Sequence, residues 1–139
     1  MKFGLVCISE LLRAKSPELA FKTMTRAQFR KKDRNESIQI LSERIAHNIR
    51  VTIETIKHCK EVKIKHYRIS CKLLPLLTDP TLNIQLEELP NYENIVSLLS
   101  EVGRTAQFLD ISLSIHPDQF VVLGSNKDNV CENSIRELN

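Results

Sequence analysis

Three short runs rich in β-branched residues, "KFGLVCIS" (2–9), "VKIKHYRIS" (62–70) and "DISLSIH" (110–116), alternate with stretches whose apolar residues recur at helical spacing. Each run has the length of a strand rather than of a helix. Between the first two, Ile38, Leu41, Ile45, Ile49, Ile53 and Ile56 fall on one face at about 3.6 residues per turn, which predicts a long helix over 38–56. Asp33 with Glu36 has capping-box spacing just ahead of it. A second helix over 92–109 presents Tyr92, Ile95, Leu99, Val102 and Ala106 on one side, with Asn91 after Pro90 as its start. A third opens near Asp128 and runs through "NVCENSIREL". The order β-α-β-α-β-α predicts an α/β fold with a parallel sheet and right-handed crossovers.

The strands also predict their facing. In the third run Ile111, Leu113 and Ile115 share one face, while Asp110, Ser112, Ser114 and His116 share the other. In the second, His66, Arg68 and Ser70 lie opposite Tyr67 and Ile69. A flat doubly wound sheet, covered on both faces, favours near-continuous apolar strands. One apolar and one small-polar face suits a closed barrel, with helices outside and a polar mouth within. Both runs carry polar groups toward their C-terminal ends, where the active sites of (β/α)8 TIM-type barrels sit. Such a barrel needs eight strands and about 250 residues. The expectation is therefore a partial barrel, with 1–139 as its N-terminal part, truncated within the third helix. The segments 10–35 and 71–90 read as long connections. The first holds the basic run "RAQFRKKDR", either a solvated surface or a phosphate contact.

The third run ends in "SIHPDQF". Pro117 stops the strand because it has no N–H to give a ladder, leaving His116 at the tip with Gln119 and Phe120 just beyond. That arrangement is either a structural histidine beside a turn or a site. The net charge of +3 permits nucleic acid as a partner without demanding it. Three glycines and no tryptophan argue against a β-sandwich or a glycine-turn repeat array. Cysteines 7, 59, 71 and 131 show no C-x-x-C spacing, which disfavours a zinc site or a disulfide framework and predicts reduced, mostly buried thiols, Cys7 and Cys71 included. Asn48 reads as helix packing. "FGLVCIS" is too short to span a bilayer and lacks the flanks of a signal peptide, so a soluble intracellular protein of the cytoplasm or nucleoid, without membrane association, is expected.

"FGLVCIS", "SPELAFKTMT", "HNIRVTIETIKHC", "HYRISCKLLPLLTDP" and "SIHPDQFVVLGS…NVCENSIREL", in that order and spacing, resemble the front half of the UV damage endonuclease (UvdE) family. The resemblance implies a TIM barrel that binds two or three divalent metal ions, usually manganese, at its C-terminal mouth. It implies nicking of double-stranded DNA immediately 5′ to ultraviolet photoproducts, leaving a 3′-hydroxyl and a 5′-phosphate that start excision repair. His116 then corresponds to the first histidine ligand and a catalytic residue. Gln119 and Phe120 correspond to the pair that probes the helix at the lesion, Phe120 standing where some members have tyrosine. Arg68 and Ser70 match a motif at the mouth of the second strand. Asp79 replaces a common histidine near the lesion, and Leu5 and Ser9 replace an aromatic and an asparagine. The remaining metal ligands belong to later strands, so a complementing C-terminal chain or self-association is an expected partner. A non-catalytic remnant that binds DNA or a partner through its sheet edge is the rival reading. "HPDQF" speaks against a third, a sugar isomerase-like metal barrel.

Overall fold

A computed structural model describes residues 3–117 and 121–138, Glu137 by its backbone alone. Its centre is β2 (His66–Ile69), paired in parallel with β1 (Gly4–Val6) on one side and β3 (Ser112–Ile115) on the other. Tyr67 lies opposite Leu5 and Leu113, and Arg68 opposite Val6 and Ser114. The alternation of the sequence therefore becomes two faces. Leu5, Tyr67, Ile69 and Leu113 turn to the helices and join the core. His66, Ser112 and Ser114 meet one another on the opposite face. The strands are shorter than the sequence runs, and the α/β order is the expected one.

The long helix α3 (Arg34–Glu61) supplies most of the core. All six of its predicted stripe residues, Ile38, Leu41, Ile45, Ile49, Ile53 and Ile56, are buried. Burying an isoleucine stabilises a fold by about 1.5–3 kcal/mol, so this stripe fixes how the helix sits on the sheet. Asp33 caps α3 by accepting from Asn35 N–H at 2.9 Å. Glu36 pairs with Lys32, so the expected capping-box partner is engaged elsewhere. Helix α4 (Tyr92–Leu109) has the predicted bounds and buries Ile95, Val102 and Ala106. Its Asn91 cap is used differently from expectation: the side-chain oxygen accepts from the Ser42 hydroxyl of α3 and ties the two helices together. Helix α5 (Asp128–Leu138) completes the order.

Several expectations need correction. The segment 10–35 is no unbroken loop; it folds into α1 (Glu10–Lys15), capped by Ser9, and α2 (Arg26–Arg30), whose Thr25 and Gln28 form a reciprocal capping box. Of the four cysteines only Cys59 is buried, which pushes its thiol up to about 11, while Cys7 is half-buried and Cys71 exposed. Ile115 faces the helix side by register yet is 71% exposed. Asn48 does more than pack. Fully buried on α3, it accepts from Lys22 N–H at 2.7 Å and donates to the carbonyls of Lys22, Lys72 and Leu73 at 3.0, 2.9 and 3.4 Å. One amide thus joins the two connections that follow β1 and β2.

Candidate active site at the strand ends

His116 follows β3 directly, and its N–H extends the ladder by donating to Ile69 O at 2.8 Å. Its Nδ1 lies 2.8 Å from the carbonyl of Pro117. A carbonyl only accepts, so a ring proton sits on Nδ1, and the neutral tautomer this selects is the one with its lone pair on Nε2. A backbone carbonyl on one ring nitrogen is the usual support for a histidine that binds metal through the other. His116 therefore fits one ligand position. Among the described residues no group of three histidine, cysteine or acidic side chains could hold a metal ion.

The ring borders a cavity of about 290 Å³ together with Ile69, Ser70, Cys71, Thr78 and Ile115. Ser70 is buried at the end of β2, where its hydroxyl oxygen accepts from Lys72 N–H at 3.2 Å and caps a 3₁₀ turn over Cys71–Leu73. The structure thus brings His116 and Ser70 to one cavity, with the serine's acceptor engaged in holding the turn. Arg68 is half-buried; among the described residues its side chain makes one long contact, Nε to Ile115 O at 3.5 Å, and no ion pair.

Neither Asp79 nor Ser9 lines the His116 cavity, although Thr78 beside Asp79 does. The Asp79 carboxylate accepts from Arg26 Nε at 2.7 Å, Thr81 N–H at 2.9 Å and the Thr81 hydroxyl at 2.7 Å. Burial acts to raise its pKa, but the Thr81 donors and the Arg26 guanidinium outweigh that and hold the carboxyl below the usual range. Much of the basic run is spent in the same way: Arg30 reaches Thr81 at 3.3 Å, and Arg34 reaches Glu88 at 2.9 Å. These cations pin α2 and the start of α3 to the 79–88 segment. Ser9 is buried as the α1 cap, accepting from Leu12 N–H at 3.2 Å. Gln119 and Phe120 fall outside the described residues.

Sequence reasoning assigned no site role to Asn48 or Lys72. For Asn48 the signal was there, a lone amide set between Ile45 and Ile49 in the stripe of a long helix.

A small parallel sheet backed by helices, with a ligand-ready imidazole at a strand end, defines an α/β protein with a candidate site at the C-terminal side of its sheet. The sequence matches the family described as UV-endonuclease UvdE over residues 1–139, and the chain belongs to that family. It is 32% identical over 139 residues to a UV DNA damage endonuclease of a Nostoc species, covering 99% of this chain and 40% of that protein. It is 35% identical over 140 residues to the protein of the same name from Halalkalibacterium halodurans, covering 99% and 41%. A solved structure titled "Crystal Structure of SacUVDE" superposes with a TM-score of 0.73 at 25% identity, over 99% of this chain and 42% of that one. The chain thus spans about 40% of the length of the relatives it matches. No described helix is long and apolar enough to cross a membrane.

Proposed function

We propose that this chain is the N-terminal portion of a TIM-barrel DNA endonuclease that hydrolyses the phosphodiester immediately 5′ to an ultraviolet photoproduct and so starts excision repair inside the cell. The observation that carries the reading is the His116 ring: a family match over the whole chain, joined to an imidazole whose Nδ1 is held by Pro117 and whose Nε2 has no hydrogen-bond partner among the described residues. Divalent metal ions, manganese foremost, are the proposed cofactors, with His116 as one ligand; when bound they supply Lewis acidity and a hydroxide at neutral pH. Arg68 is suited to meet a DNA phosphate, since its guanidinium has no carboxylate among the described residues to neutralise it. Gln119 and Phe120 are proposed to probe the duplex, where a photoproduct has already weakened stacking. Asp79, Ser70 and Ser9 are retained as lesion-side positions whose direct work is to hold the turns around them.

A second reading rests on the exposed apolar side chains. Phe3, Leu11, Ile115 and Leu123 are each more than half exposed, and among the described residues β1 and β3 each pair on one side only. Such edges bind other strands. Further βα units, in the same or another chain, would cover them; a remnant that only binds a partner would use the same surface.

The deciding experiment is nicking of irradiated plasmid with manganese, alongside mass by light scattering. Residues 1–139 as an isolated polypeptide are expected not to nick and to associate. With the remaining barrel strands supplied, nicking is expected to appear and to fall by orders of magnitude on His116→Ala. A monodisperse monomer that cuts would overturn the proposal, as would full cleavage by the His116 variant with unchanged metal content.

A further inference from the structure

A second cavity, of about 160 Å³, lies between the exit of β1, α1, residues 19–21 and the part of α3 that carries Val51 and Thr55. Its lining includes two cations, Arg13 and Lys72, two hydroxyls, Ser9 and Thr55, and no carboxylate. The Arg13 guanidinium has one acidic neighbour, Glu10, at 3.8 Å; both side chains are more than half exposed, so that pair is weak and easily exchanged. Lys72 has no ion pair among the described residues. Its backbone is fixed on both sides, the N–H by Ser70 Oγ at 3.2 Å and the carbonyl by Asn48 Nδ2 at 2.9 Å. Ser9 Oγ accepts from Leu12 N–H, and its hydroxyl proton can be donated to an anion. The Thr55 hydroxyl, by contrast, donates to Val51 O at 2.8 Å. Leucine, valine and phenylalanine side chains complete the wall.

We infer that this cavity is an oxyanion site for a phosphate group, gripped by Arg13 and Lys72 and hydrogen-bonded by Ser9. Two cations without a lining carboxylate match a doubly charged anion better than a monovalent one, and the arginine fork suits phosphate oxygens. The inference goes beyond the nuclease reading and does not depend on cleavage. The phosphate belongs either to a nucleic-acid backbone or to a free phosphate.

Calorimetric titration of the purified chain with inorganic phosphate, with acetate as the monovalent control, tests the site directly. Saturable phosphate binding is expected, weakened about tenfold by Lys72→Ala and by Arg13→Ala and kept within about threefold by Lys72→Arg. Circular dichroism of each variant separates lost binding from lost fold. A parallel salt series with undamaged duplex DNA identifies the source: if the backbone occupies the site, each alanine variant lowers the salt slope by about one unit. An unchanged slope with lost phosphate binding assigns the site to free phosphate. No saturable binding, acetate binding as tight as phosphate, or affinity indifferent to both alanine substitutions would overturn the inference.

Discussion

His66 and His116 stand at opposite ends of adjacent strands and are used in opposite ways. His66 opens β2, and both of its ring nitrogens are taken. The Ser112 hydroxyl donates to Lys65 O at 3.0 Å, so its oxygen accepts from His66 Nδ1 at 2.9 Å, and Nε2 in turn accepts from Ser114 at 2.9 Å. That ring stitches β2 to β3 and has nothing left to offer. His116 closes β3 with one nitrogen held by Pro117 and the other without a hydrogen-bond partner among the described residues. A histidine's role is therefore read from how many of its nitrogens the fold consumes. The same division separates other polar groups: Asn48 and Asp79 are saturated by their own chain, whereas Arg68 is held by one long contact. Saturated groups should cost stability when removed, and open ones should cost function.

Asn48 is the severest test of that division. Replacing it with leucine leaves the Lys22 N–H and the Lys22 and Lys72 carbonyls without their side-chain partner inside the fold. Stranded buried groups cost about 1–3 kcal/mol each before relaxation, so a net loss of about 3 kcal/mol is expected by urea denaturation. Hydrogen exchange should quicken first at residues 20–24 and 70–74. A loss below about 1 kcal/mol would mean that water replaces the amide and that the two connections are not joined through it.

His66→Ala comes next, with an expected loss of about 1–2 kcal/mol from two hydrogen bonds on a half-buried ring. In a nicking-competent assembly, activity per folded molecule should persist. A nicking defect as deep as that of His116→Ala, with stability intact, would break the comparison.

Asp79 gives a smaller effect with a definite pH signature. Its folded carboxyl lies below the usual range, so the unfolded chain binds the proton more readily than the folded one. Its contribution is present above the unfolded pKa, near pH 4, and is lost as pH falls through the folded value. Asp79→Asn should therefore cost about 1 kcal/mol at neutral pH and progressively less in acid, as read from denaturation midpoints across pH 2–7. A constant difference across that range would show that the carboxylate's charge is irrelevant to holding α2.

Much of this architecture was legible because it rests on periodic burial. The stripe Ile38 to Ile56 and the 92–109 helix are where the pattern put them, since each apolar side chain answers to the same sheet. The helices of 10–35 escaped because five- and six-residue elements have no period to read, although "TRAQ" carries the Thr25–Gln28 capping box in plain view. Ile115 breaks its own alternation, because an apolar residue at the predicted phase is buried only where a neighbour covers it. The candidate site was legible in position and not in state. The tip location of His116 follows from Pro117, but the orientation of the Pro117 carbonyl fixes the tautomer, and no side-chain pattern encodes it. Asn48 was misread for a related reason: its partners are backbone groups 24 to 26 residues away.

The smallest expected effect is the stability change of His116→Ala. The ring is half-buried, and its hydrogen bond among the described residues goes to the carbonyl of the next residue, which can turn to solvent when the ring is removed. The backbone bond from His116 N–H to Ile69 O survives any substitution except proline. Alanine should therefore shift stability by no more than about 0.5 kcal/mol, in the range of ordinary surface changes. Thermal denaturation beside His66→Ala makes the contrast internal to one sheet: two imidazoles, one holding strands and one proposed to take a ligand. If His116→Ala destabilised as much as His66→Ala in the absence of metal, the ring would be a strut, and the openness of its Nε2 would carry no functional meaning.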